Sequence, residues 1–269
     1  MTLTVGIAGL GAIGMKVART LDRGEIAGMA LAAVSARDLD RATVRVADFH
    51  APPRVVRAED LAAHTDIVIE CAPKAIFETL ARSAVSAGRI FMPLSVGALL
   101  DHMDLVDRAR ESGAQIIVPT GAIIGLDTVR AMAEEEVHEV TLMTRKPPGG
   151  LAGAPHLVEN AIEIDGLTEA KRVFAGTARE AARGFPANVN VAAALSLAGI
   201  GPERTTVEVW ADPTLDRNMQ SVRIRSASGE AEMTILNIPS TENPRTGRIT
   251  ALSVLACLRR LTSPLVVGT

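Results

Sequence analysis

The first fifteen residues constrain the fold more than any other stretch. An apolar, β-favouring run, Leu3-Thr4-Val5-Gly6-Ile7-Ala8, leads into Gly9-Leu10-Gly11-Ala12-Ile13-Gly14. Met15, Val17, Ala18 and Leu21 then recur at helical spacing,. The order strand, glycine turn, helix is the context that a dinucleotide-binding turn requires. Gly9 permits the tight turn, Gly11 removes a Cβ so that a pyrophosphate can approach the backbone, and Gly14 lets helix and strand pack closely. Ala12 and Ile13 open the helix, whose free N–H groups and partial positive charge favour phosphate. The expected cofactor is therefore NAD or NADP.

The following residues keep the same alternation. Ala30 to Ser35, Asp66 to Ala72, Ile90 to Leu94 and Gln115 to Pro119 read as strands, and Glu78 to Ala87 and His102 to Glu111 as helices. Strands alternating with helices predict a parallel sheet covered on both faces, an α/β fold of Rossmann type. Ligands gather at the carboxyl ends of such strands, which singles out Cys71, Ala72, Ser95 and Gly97. Ser35-Ala36-Arg37-Asp38 stands about 20 residues past the glycines, where an acid would select NAD. Ser35 is small and Arg37 can face a 2′-phosphate, which points to tolerance of NADP, although Asp38 can still take the ribose.

Beyond Pro119 the texture changes. Thr120 to Asp127 is a glycine-punctuated turn that opens a helix. Glu139 to Thr144, Thr205 to Trp210, Gln220 to Ser226 and Glu230 to Asn237 alternate apolar and polar residues, as half-exposed strands do,. Ser226-Ala227-Ser228-Gly229 predicts a hairpin turn. Helices are expected over Thr168 to Ala182, Val189 to Ala198 and Ile249 to Leu261. The expected organisation is a Rossmann domain over 1–118 with the C-terminal helix of 245–269 packed back on it. An α+β catalytic and dimerisation domain with a mixed sheet follows over 119–244.

A chain of 269 residues accommodates two modest domains. A net charge of -3 and no Tyr argue against a nucleic-acid footprint and against stacking platforms. Two cysteines outside any CxxC spacing argue against a zinc site or a disulfide framework. No secretory leader pattern and no apolar run of spanning length is visible, so the expected location is cytoplasmic, away from membranes.

Several motifs occur together and in order: Ser95-Val96-Gly97-Ala98, Pro119-Thr120-Gly121-Ala122-Ile123-Ile124-Gly125-Leu126-Asp127, Thr144-Arg145-Lys146-Pro147-Pro148, Phe185-Pro186-Ala187-Asn188-Val189-Asn190-Val191, Ala211-Asp212-Pro213 and Asn243-Pro244-Arg245-Thr246. With these motifs the chain resembles the L-aspartate dehydrogenase family nearly end to end. The resemblance implies a homodimer that interconverts L-aspartate with oxaloacetate and ammonia through iminoaspartate, using NAD or NADP. In some organisms that imine feeds NAD biosynthesis. It also implies that Ala122 and Asn188 border the nicotinamide. Asn188 offers a carboxamide at a helix start, where a plain N-cap is the other reading. A second argument for the dimer is an outer sheet face expected to be apolar, which would otherwise leave an exposed patch.

One position departs from the family. Its catalytic histidine lies in an Asn-x-His segment after Asp-Pro, and here Asn218-Met219-Gln220 follows Asp212-Pro213. Glutamine can orient a substrate but cannot exchange a proton near neutral pH. Lys146, His156 and His138 are the other candidates for proton transfer. Arginine's planar fork suits a carboxylate, so Arg145, Arg217 and Arg245 are candidate clamps for a small amino or keto dicarboxylic acid, with Asn218 beside them. The alternatives are an imine or carbonyl reductase on another small acid, and a catalytically weakened cofactor-binding homologue.

Overall fold

The computed structural model describes residues 2–186, 189–243 and 246–268. Contacts divide the chain into two compact units, Met1–Pro119 with Ala251–Val266 and Thr120–Thr250 with Val267–Thr269.

The first unit holds six strands: β1 (Leu3–Ala8), β2 (Met29–Ser35), β3 (Arg54–Val55), β4 (Ile67–Glu70), β5 (Ile90–Pro93) and β6 (Gln115–Ile116). Their order is β3-β2-β1-β4-β5-β6, and every pairing is parallel. The strand order reverses between β1 and β4, the switch point at which open α/β sheets bind ligands. Among its described residues are the helices α1 (Ala12–Asp22), α2 (Leu39–Val46), α3 (Leu61–His64), α4 (Phe77–Ser86), α5 (Val96–Leu99) and α6 (Asp104–Ser112). Helix α1 buries Gly14, Val17, Ala18 and Leu21, one stripe at i, i+3, i+4 and i+7. Val5, Ile7, Val34, Ile67 and Ile69 of the sheet lie in the same core.

The second unit contains α7 (Leu126–Met132), β7 (Val137–Lys146), α8 (Pro155–Glu159), β8 (Lys171–Thr177), α9 (Ala178–Gly184), α10 (Val189–Ala198), β9 (Thr206–Ala211), β10 (Met219–Ser226) and β11 (Gly229–Leu236). Its sheet runs β11-β10-β7-β9-β8. The β7–β9 pair is parallel and the other three are antiparallel, so the sheet is mixed. The hairpin closes with Ser226 opposite Gly229. The last helix, α11 (Ile249–Thr262), places Val254, Leu255 and Leu258 in the core of the first unit.

The helix expected over Thr168 to Ala182 is corrected. Residues 171–177 form β8, which pairs antiparallel with β9, and only Ala178–Gly184 is helical. The boundary is set by a capping box. The Thr177 hydroxyl accepts from the Glu180 N–H at 3.2 Å, and Glu180 Oε2 accepts from the Thr177 N–H at 2.8 Å,. Val173 and Phe174 are β-favouring, and Phe174 pairs with Val209 of β9 across a bulge at Val173, which overrides the helical spacing of their neighbours.

Candidate functional site

In the first unit the glycine turn has the shape that its sequence requires. Gly9 has φ +96°, and a Cβ there would stand 2.4 Å from the Cys71 carbonyl oxygen. A Cβ on Gly14 would stand 1.9 Å from the Gly9 carbonyl oxygen, so any side chain would drive α1 off the strand. Around Gly11 nothing lies within 4 Å of a Cβ position. Helix α1 begins there with no side-chain cap and no acid in its first turn. Open space at a bare helix N-terminus fits a pyrophosphate, so the residues present fit a dinucleotide. Ala12 and Ile13, both half-buried, form the first turn of that helix.

Ser35 is buried, and its carbonyl accepts from the Gly9 N–H at 2.7 Å, joining the tip of β2 to the turn. Arg37 and Asp38 are both exposed, but the Asp38 carboxylate is engaged. It caps α2 by accepting from the Arg41 N–H at 2.9 Å,. Arg37 therefore stands beside a carboxylate already committed to the backbone.

At the exit of β4 the Cys71 N–H donates to the Ala8 carbonyl at 2.8 Å. Burial pushes the Cys71 thiol well up, with the Glu70 charge adding to the effect, so Cys71 is an apolar wall rather than a nucleophile. Sequence reasoning passed over Glu70. It is the last residue of a strand buried on both faces and is itself fully buried. Its carboxylate accepts from the N–H groups of Ala72 (2.9 Å), Leu94 (3.2 Å) and Ser95 (2.8 Å) and from the Ser95 hydroxyl (3.1 Å). Burial raises its pKa and these donors pull it back. The signal was present in the sequence: an acid ending an all-apolar run needs partners. Gly97 is buried in the short helix α5 that follows Ser95.

In the second unit, strand alternation sorts the candidates by face. Val140, Leu142, Thr144 and Lys146 of β7 are buried, as are Val207, Val209 and Ala211 of β9 and Gln220, Val222 and Ile224 of β10. On this inner face Gln220 sits directly opposite Thr144, whose hydroxyl donates to Gln220 Oε1 at 2.5 Å. Lys146 is two residues further along β7, roughly 8 Å diagonally from Gln220. It is 8% exposed, and burial lowers its pKa from 10.5 to about 8.

Arg145, the candidate carboxylate clamp, points the other way. It faces the outer side of β7, pairs with the buried Asp212 at 2.6 Å and lies over the Trp210 ring at 5.9 Å. Arg217 is engaged by its neighbour Asp216. His138 is the second residue of β7, roughly 26 Å from Lys146 along the strand, and stands near Glu136. His156 packs against Phe174 and Phe185, which gives it a structural task. Asn188 and Arg245 lie outside the described residues.

Asn218 and Ala122 are linked through Asn237, which sequence reasoning also missed. The Asn237 N–H donates to the Asn218 carbonyl at 2.9 Å, and its Nδ2 donates to the Ala122 carbonyl at 3.0 Å. Buried Asn237 thus fastens the glycine turn of residues 120–125 to the ends of the β10–β11 hairpin.

The outer sheet face is not the apolar patch expected. Glu139 pairs with Arg223 and Arg225, and Arg172 with Glu208, so charge alternates across it. The homodimer expectation therefore loses its physical argument and rests on the resemblance. Among the described residues no group of His, Cys, Asp or Glu is placed to hold a metal ion. Nor is any helix among them long and apolar enough to cross a membrane.

Known proteins match along the whole chain. A family model described as the C-terminal part of aspartate dehydrogenase matches residues 127–261. One described as the NAD-binding domain of homoserine dehydrogenase matches residues 9–119. An L-aspartate dehydrogenase of Bradyrhizobium diazoefficiens is 52% identical over 99% of this chain and 94% of its own. One of Bordetella bronchiseptica is 51% identical over 99% of this chain and 98% of its own. The crystal structure of aspartate dehydrogenase from Thermotoga maritima aligns with TM-score 0.72 and 26% identity, covering 100% of both chains.

Proposed function

The chain belongs to the aspartate dehydrogenase family, NAD(P)-dependent oxidoreductases acting on amino-acid CH–NH2 donors, and from that premise we propose how its own residues interconvert L-aspartate with oxaloacetate and ammonia. The observation that carries the proposal is the pairing of a buried lysine, with its pKa lowered to about 8, with Gln220 on one buried sheet face. The nicotinamide, when bound, supplies the hydride acceptor or donor. Gly9, Gly11, Ala12, Ile13 and Gly14 hold the pyrophosphate, while Cys71, Ala72, Ser95 and Gly97 wall the strand exits.

Oxidation of an amine to a keto acid sheds two protons to the surroundings, and the carbinolamine formed on the way expels ammonia as a third proton passes from its hydroxyl to the departing nitrogen. One proton leaves the substrate α-ammonium before hydride departs from Cα, and a second leaves the water that adds to iminoaspartate. Lys146 Nζ, neutral above pH about 8, takes the first. Gln220, its carbonyl fixed by Thr144, orients imine and water by hydrogen bonds but does not take the second proton, which passes to solvent. Asn218 serves the substrate side, and Ala122, with Asn188 in the family position, borders the nicotinamide. A homodimer is part of the same proposal.

An assay with oxaloacetate, ammonia and reduced cofactor tests it. Oxidation of NADH or NADPH should require both oxaloacetate and ammonia. Oxidation without ammonia would indicate a carbonyl reductase. Cofactor binding with no turnover would indicate a binding homologue.

For the cofactor, NADP(H) should bind at least as well as NAD(H), because Arg37 is exposed while Asp38 is committed to its helix. Arg37→Ala should weaken NADPH binding by about 1.5- to fivefold, the range for an exposed ion pair, and leave NADH unchanged. Titration of both cofactors reads this out. A strong preference for NADH that survives Arg37→Ala would refute it.

A further inference from the structure

We propose that Glu70 is a positioning residue that ties the exits of β4 and β5 into one wall for the nicotinamide half of the cofactor. The inference rests on the dinucleotide reading of the first unit.

The geometry is specific. Strands β4 and β5 are neighbours, and the chain leaves both at their carboxyl ends, on the far side of the switch point from β2. A dinucleotide lies across that point, one mononucleotide half on each side. The glycine turn and the tip of β2 serve the adenosine half, so the β4 and β5 exits border the other. Glu70 spans both exits. One carboxylate oxygen takes the Ala72 N–H and the Ser95 hydroxyl, and the other takes the Leu94 and Ser95 N–H groups. The partner set therefore consists wholly of donors, three of them backbone, and a carboxylate offers only acceptors. An amide of the same shape would turn an NH2 group toward donors. Local β4 geometry alone needs no such group, because the main chain of β4 and β5 is already paired.

The test separates the two halves of the cofactor by measuring binding of NADH and of ADP-ribose, which lacks the nicotinamide. Glu70→Gln should weaken NADH at least about tenfold, as expected when buried donors lose their acceptor, and leave ADP-ribose within about twofold. Ser95→Ala, which removes only one of the four donors, should show the same pattern at smaller size. It also decides the matter if Glu70→Gln does not fold. Unchanged NADH affinity in the folded variants, or equal loss of both ligands, would overturn the positioning role. Failure of the wild-type protein to bind ADP-ribose at all would instead overturn the dinucleotide reading beneath it.

Discussion

Replacing Gln220 by histidine raises aspartate–oxaloacetate turnover by about 10²-fold and adds a titration near pH 6.5. The position is prepared for such a group. It is buried on the inner face of the second unit's sheet, directly opposite Thr144 and diagonal to Lys146. An imidazole there keeps one hydrogen bond to the Thr144 hydroxyl and turns its second nitrogen where the carboxamide now only orients. The step that gains is proton removal from the attacking water, which glutamine cannot perform. General-base help of this kind is worth about 10²–10⁴-fold, and the lower end applies if Lys146 serves the substrate nitrogen as proposed. Steady-state rates of the wild type and Gln220→His between pH 5.5 and 9 check the result. A gain below about tenfold would mean that water addition already has a base, and a fall in rate would remove position 220 from the reacting centre.

Replacing Lys146 by methionine lowers kcat by about 10²–10⁴-fold. Methionine keeps an unbranched apolar stem in a buried slot, so the fold should hold. The loss is then chemical: no group remains to take the α-ammonium proton before hydride leaves. The variant should bind NADH as the wild type does, because the glycine turn belongs to the other unit. Single-turnover aspartate oxidation with saturating cofactor checks this. A variant with normal rate would place the proton transfer elsewhere.

Much of the fold was legible because its signals are local. The glycine spacing after β1 demands close backbone approach, and the structure gives Gly9 and Gly14 distinct steric reasons and leaves Gly11 facing open space. The β8 segment misled because edge strands carry mixed polarity, and the Thr177–Glu180 capping box, visible in the sequence, was the better guide to where α9 starts. The site was legible only in part. Lys146 and Gln220 share a face because β7 and β10 pair in one register, which no spacing within either strand reveals. By the same alternation Arg145, adjacent to Lys146, had to face the opposite side, and a strand reading carried through would have removed it. Glu70 reaches Leu94, 24 residues away, and Asn237 reaches Ala122, 115 residues away, contacts that only the folded chain brings together.

The central claim is that this enzyme, with glutamine at the family's histidine position, moves the substrate proton through Lys146. The pH dependence of kcat/KM for aspartate oxidation tests it most directly, because that quantity reports groups of the free enzyme. Burial lowers the Lys146 pKa to about 8, and the neutral amine is the working form. The wild-type rate should therefore climb with pH to a plateau above about 8, with no inflection near 6.5. The reductive direction, which needs the protonated amine, should fall across the same interval. Lys146→Met should lack that inflection in both directions. A wild-type profile that is flat through pH 8, or one that Lys146→Met leaves unchanged, would contradict the account.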